Sequence, residues 1–192
     1  MSPQAAIFYL WDAWVVSWML AALWADRPTG WPDVRSQALH WSITLVGLYL
    51  LLGVRSHQHQ GPGRVWDVSD PVGWTMFALA LCGLAFCWWA RLHLGRLWSG
   101  SVSRKADHHI VDTGPYGIVR HPIYTGLILA AFATGVMRGT IIALSGAVFI
   151  TAGFWIKARL EERFLRQELG AEVYDAYRRR VPMLAPFGPK GA

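Results

Sequence analysis

The runs of apolar residues constrain this chain more than any other feature. Val72 to Ala90 contains no charged side chain, and Ile7 to Trp24 is interrupted only by Asp12. A membrane-crossing helix needs roughly 17–25 mostly apolar residues. Leu39–Val54 is a shorter run of the same kind, and Ile123–Val136 and Thr140–Ile156 form a pair around the minimal connector Met137-Arg138-Gly139. Five spans are predicted, which makes the fold class all-α and the chain an integral membrane protein. Only 16% of the 192 residues are charged, against about a quarter in an ordinary soluble domain. The 12 tryptophans suit interfacial belts. No Lys or Arg precedes the first run, so it lacks the charged region of a cleaved signal peptide and reads as a retained helix.

The basic residues are distributed unevenly. Arg91, Arg96, Arg104, Lys105 and Arg120 fall between the third and fourth runs. Lys157, Arg159, Arg163, Arg166, Arg178, Arg179, Arg180 and Lys190 follow the fifth. With five spans these two regions share a side, and the excess of Lys and Arg assigns that side to the cytoplasm. The amino terminus is expected outside and the carboxyl terminus in the cytoplasm. The small size suggests a bacterial inner (plasma) membrane. The net charge of +6 is then a signal of topology, and no nucleic-acid partner is implied.

The chain divides by its polar chemistry. Residues 1–90 form an N-terminal region of three spans with little of it. Asp12 lies near the start of its span, where a carboxylate reaches the interface. His57 and His59 lack a third ligand at zinc-site spacing, and Cys82 and Cys87 are too far apart around a helix to pair. Residues 91–192 hold the unusual groups. Gly114 to Gly126, "GPYGIVRHPIYTG", lies between two apolar segments. Gly114-Pro115 is a turn signal, and Pro122 suits the first turn of a helix. Tyr116 and Tyr124 would sit at the interface. After Ile156 the fifth run continues as a charged helix, in which Lys157 can meet Glu161 and Arg159 can meet Glu162. Gly170 is placed to interrupt that helix and Pro182 to close the following segment.

Turns, anchors and topology charges leave His121, Glu161 and Glu162 unexplained, and the short hairpin of spans brings these groups near one another. A histidine, an arginine, tyrosine rings and two carboxylates suit a zwitterionic, partly aromatic cation: carboxylates pair with ammonium, and ring faces attract a sulfonium. A phosphate loop, a nucleophile elbow and a metal cluster are missing from the sequence, so ATPase and hydrolase readings have no support.

Leu94 to Phe187, about half the chain, resembles the isoprenylcysteine carboxyl methyltransferase and phospholipid methyltransferase families of integral membrane enzymes. The pieces that carry the resemblance are "LGRLWSGSVS", "HHIVDTGPY", "RHPIYTG", "EERFL" and "YDAYRRRVPMLAPF", in that order. It implies a cytoplasmic pocket for S-adenosyl-L-methionine at the ends of the last helices. His108, Ile110 and Val111 would line the adenosine side with Tyr116 beside them. His121, Pro122 and Tyr124 would hold the body of the cofactor, and Glu161, with Glu162, its amino-acid end. Arg159 and Glu162 stand as catalytic candidates, with Lys157 an alternative to Arg159 as the base facing the substrate. The acceptor implied is a lipophilic molecule bearing a carboxylate, amine or thiol, reached from the bilayer. A membrane reductase of the sterol-reductase type using NADPH, and a non-catalytic membrane scaffold, are the rival readings.

Overall fold

A computed structural model describes residues 1–23, 34–53, 64–95 and 110–190. The regular structure of these segments is helical, and apart from a single bridge between Arg64 and Thr140 no strand occurs among the described residues. The elements are α1 (Pro3–Ala22), α2 (Val34–Leu48, ending in a π turn Tyr49–Gly53), α3 (Asp70–Leu94), the one-turn α4 (Pro115–Ile118), α5 (Pro122–Arg138), α6 (Ile141–Leu169) and α7 (Ala171–Arg180).

Local chemistry sets most of the boundaries. The Ser2 hydroxyl accepts from the Ala5 N–H at 3.3 Å and caps α1. Pro122 opens α5 at the position where a missing N–H costs nothing. At its end Gly139 takes the left-handed conformation (φ 67°), and Thr140 caps α6 by accepting from Ala143 N at 3.1 Å. Gly170, at φ 90°, stops α6, and α7 runs from there to Arg180, two residues short of Pro182.

Three helices, α1, α3 and α6, are long and apolar enough to cross a membrane. The second and fourth apolar runs form shorter helices, residues 37–53 and Pro122–Arg138. The outward side is apolar as well. Val16, Met19, Leu45, Leu81, Trp89, Val148 and Phe149 are all exposed, as a bundle surrounded by lipid requires. Asp12 lies near the middle of α1, deeper than its place in the apolar run suggests, with its side chain on the exposed face. Cys87 is buried and Cys82 exposed; the Cys87 thiol donates to the Ile123 carbonyl at 3.2 Å.

The bundle is held by small residues at the crossings. α3 packs against α5, α2 against α6, and α5 against α6. Around the first crossing, Ile7, Trp11, Leu84, Ala130, Ala133 and Met137 form a buried cluster, in which the Trp11 indole donates to Thr134 Oγ1 at 3.0 Å. Gly83 and Gly126 let the backbones of α3 and α5 touch; a Cβ on Gly126 would overlap the Gly83 carbonyl oxygen and the Cys87 sulfur. In lipid, where helix association depends on close packing, such contacts carry much of the stability. Gly126→Val should therefore separate α3 from α5, destabilising the protein by more than the ~1–3 kcal/mol of ordinary overpacking. Thermal unfolding in detergent measures this, with Ala152→Val on the exposed side of α6 expected to change little.

Arg91 shows how the bundle uses a charge outside its topology role. It lies buried in the last turn of α3, where its guanidinium donates to Gly95 O at 2.7 Å and Ala21 O at 3.0 Å. The ends of α1 and α3 are thereby tied together.

Candidate active site

The motif between α3 and α5 is built as a turn, a single helical turn and a short extended stretch. Gly114 has φ 56°, and a Cβ there would press into the His93 ring. Pro115 then starts α4, Tyr116 is buried, and Val119 is extended before the chain enters α5. The carboxyl-terminal strap clamps this stretch. Arg120 N–H donates to Pro182 O at 2.9 Å and His121 N–H to Met183 O at 3.1 Å. The Thr125 hydroxyl donates to Leu184 O at 2.6 Å, and the Tyr177 hydroxyl to Tyr116 O at 2.7 Å. Residues 181–184 thus fix the backbone on which the polar side chains stand.

The two neighbouring glutamates of α6 face different partners. Glu161 accepts from the Tyr124 hydroxyl at 2.6 Å, faces His121 Nδ1 at 3.5 Å and lies 3.9 Å from Lys157 Nζ. Glu162 forms a buried ion pair with Arg120, Nε to Oε1 2.7 Å, and lies 3.5 Å from His121 Nε2. Arg120 also donates to the carbonyls of Arg178 (3.2 Å) and Val181. The predicted Lys157–Glu161 pair is present, whereas Glu162 turns to Arg120 in place of Arg159.

His121 sits between the carboxylates. Burial disfavours its imidazolium, but the carboxylates of Glu161 and Glu162 on either side outweigh burial and raise its pKa. Burial acts in the opposite direction on Glu162, which lies beyond the apolar part of α6, and would raise it; His121 and Arg120 hold it down at about 2. The His121, Tyr124 and Phe154 rings form a stack, with centroids 5.4 and 4.9 Å apart and planes within 10°. Lys157 Nζ lies over the Tyr124 ring at 5.3 Å and over Trp41 of α2 at 5.9 Å.

His121, Pro122, Tyr124 and Glu161 therefore come together where the start of α5 packs against the charged part of α6. Ile110 packs against the buried Tyr174–Tyr177–Val181 cluster, and Val111 follows it, half-buried. Tyr116 is buried beside His93, with ring centroids 6.4 Å apart. His108 lies outside the described residues. Arg159 is exposed, with its guanidinium over the Trp155 ring at 5.2 Å, so Lys157 is the cation beside Tyr124 and Glu161. Three contributors were not singled out from the sequence: Arg120 as the partner of Glu162, Phe154 as the end of the ring stack, and Trp41 beneath Lys157. Only Arg120, next to His121 in a motif followed by paired glutamates, left a readable signal.

The profile of the isoprenylcysteine carboxyl methyltransferase family matches residues 76–167, a segment containing His121, Tyr124, Glu161 and Glu162. Among characterised proteins, protein-S-isoprenylcysteine O-methyltransferase B of Arabidopsis thaliana is 36% identical over 87 residues, 45% of this chain and 44% of that protein. Methanethiol S-methyltransferase 2 of Bradyrhizobium diazoefficiens is 48% identical over 73 residues, 37% of this chain and 26% of that protein. The nickel-cobalt-cadmium resistance protein NccN of Alcaligenes xylosoxydans xylosoxydans is 30% identical over 127 residues, 63% of this chain and 54% of that protein. The chain thus spans between about a quarter and about half of the length of these relatives.

Proposed function

We propose that this chain, whose residues 76–167 match the profile of the isoprenylcysteine carboxyl methyltransferase family, is a membrane enzyme that transfers a methyl group from S-adenosyl-L-methionine to a lipophilic acceptor. One observation carries the reading. A histidine, a tyrosine and two carboxylates converge where α5 meets α6, within the matched segment.

The groups present fit the cofactor. His121 Nε2 is buried without a hydrogen-bond partner, and the charge of the Glu161 carboxylate beside the ring suits an ammonium group. Glu161 would hold the amino-acid end, and the His121–Tyr124–Phe154 stack offers ring faces to a sulfonium. Ile110, Val111 and Tyr116 would line the adenosine side. When bound, S-adenosyl-L-methionine supplies a methyl group already activated for displacement by its positive sulfur. The protein's own work is then alignment and exclusion of water, and alignment alone can contribute about 7–11 kcal/mol. Lys157, over Tyr124 and Trp41, is the cation placed to draw a carboxylate or thiolate acceptor towards the cluster. Glu162 keeps Arg120 and the strap in place, and Arg159 stands on the outer face.

In this reading all five apolar helices cross the membrane, and the site faces the cytoplasm, on the side richest in Lys and Arg. Cofactor enters from water and acceptor from between the helices. The relatives' names include both an isoprenylcysteine O-methyltransferase and a methanethiol S-methyltransferase, so an oxygen or sulfur acceptor is favoured. Transfer of labelled methyl to acceptors that share one head group and differ in tail length tests the proposal. Each buried methylene is worth about 0.8 kcal/mol, so apparent affinity should rise severalfold per methylene until the gap is filled. A flat series would place the acceptor's route in the cytoplasm, and no transfer to any oxygen, sulfur or nitrogen acceptor would remove the proposal.

A further inference from the structure

α6 carries a second polar surface beside the His121–Glu161 cluster. Trp155, Arg159, Glu162, Arg163 and Arg166 recur at spacings of three and four residues and form one stripe, which Arg178 of α7 completes into a groove of about 380 Å³. The carboxylates in and beside it are already engaged. Glu162 pairs with Arg120, and Asp175 takes Arg166 at 2.9 Å and Arg178 at 3.3 Å. Among the described residues no carboxylate pairs with Arg159 or Arg163. The Arg163 Nε donates to the Arg159 carbonyl at 3.4 Å, and the Arg159 guanidinium rests on the Trp155 ring. Among the described residues, two guanidiniums are therefore displayed side by side without a carboxylate partner.

The position of this groove along the helix matters as much as its charge. Trp155 is 47% exposed and closes an outward apolar surface that includes Val148 and Phe149. At 1.5 Å per residue, Arg159 stands about 6 Å beyond Trp155 and Arg163 about 12 Å. The polar zone on each side of a bilayer is on the order of 6 Å thick, and tryptophan favours its inner edge. With Trp155 at that edge, Arg159 would stand at head-group level above lipid-facing apolar surface, and Arg163, one turn further out, folds back towards it through its Nε contact with the Arg159 carbonyl.

We propose that this groove binds the phosphate of an anionic phospholipid of the surrounding bilayer. Arg159 and Arg163 would grip the phosphate as paired, planar donors, and the acyl chains would lie along the exposed Trp155–Phe149–Val148 face. Continuity between the guanidiniums and the apolar face distinguishes a lipid from a free anion. The proposal rests on α6 standing in a bilayer, and it is independent of methyl transfer.

The test uses the full chain purified in detergent and native mass spectrometry with an equimolar mixture of phosphatidylglycerol and phosphatidylcholine of the same chain length. Phosphatidylglycerol should be retained at least tenfold more often. Arg159→Gln with Arg163→Gln should bring the ratio near one, and Arg163→Gln alone should lower it at least threefold. Arg179→Gln with Lys190→Gln removes the same charge outside the groove and should leave the ratio unchanged. Equal retention of the two lipids would overturn the proposal, as would an equal loss in both double variants, which would mean diffuse charge. Displacement of the lipid by millimolar glycerol phosphate would overturn it too, by showing a site for free anions. None of these measurements uses methyl donor or acceptor, so their outcome is separate from that of the proposed activity.

Discussion

Replacing Arg120 by alanine is expected to destabilise the protein by about 3–5 kcal/mol, the cost of removing one partner of a buried ion pair. The side chain is 4% exposed and its partner Glu162 6% exposed, so water does not compensate for the loss. The change also leaves the carbonyls of Arg178 and Val181 without their guanidinium donor, which loosens the junction of α7 with the strap over the motif. Thermal unfolding in detergent measures the effect. Arg120→Met combined with Glu162→Leu should recover much of the loss, because an apolar pair of similar volume carries no stranded charge. Asp175→Asn, which weakens the more exposed pairs to Arg166 and Arg178, should have a far smaller effect. Equal destabilisation by Asp175→Asn and Arg120→Ala would show that the buried pair has no special weight.

The second large effect is on binding. Glu161→Gln keeps the size of the side chain and an acceptor for the Tyr124 hydroxyl, but removes the charge that faces His121 and Lys157. A charge-assisted contact in a buried site is worth about 1.5–3 kcal/mol, so the dissociation constant for S-adenosyl-L-methionine should rise roughly 10- to 150-fold, at about 1.4 kcal/mol per factor of ten. Glu172→Gln, on the exposed first turn of α7, should leave affinity within about twofold. Comparable losses in the two variants would remove Glu161 from the site. Glu162 does not offer a simple replacement, since its charge is committed to Arg120.

What the sequence disclosed was mostly local. Pro122 opens α5, Gly139 and Thr140 make the hairpin turn, and Gly170 ends α6 because each acts through its own backbone or its neighbour's. The apolar runs gave the helices, although only three of the five reach spanning length among the described residues, and α1 begins at Pro3, which places Asp12 deeper than its run suggests. The gathering of His121, Tyr124 and Glu161 was legible because the tight turn at Gly139-Thr140 folds α6 back along α5 and brings its charged part beside the start of α5.

Long-range packing was not legible. Adjacent glutamates read alike in sequence, yet a rotation of about 100° per residue around the helix sends Glu161 to Tyr124 and Glu162 to Arg120. Arg159 and Lys157 differ for the same reason, one facing outward over Trp155 and the other inward over Tyr124. Trp41 arrives from α2 through a crossing at which the backbones meet near Gly47 and Gly146, and no local motif announces such a contact. The strap at residues 181–184 uses main-chain carbonyls, which carry no sequence signature at all.

On the proposed function, the His121–Tyr124–Glu161 cluster receives S-adenosyl-L-methionine. Isothermal titration of the detergent-purified full chain with S-adenosyl-L-methionine, with its demethylated product and with NADPH tests it most directly. Saturable binding of the first two, weakened together by Glu161→Gln, with no heat from NADPH, is the predicted result. Binding of NADPH alone would point to a reductase, and binding of none of the three would contradict the account.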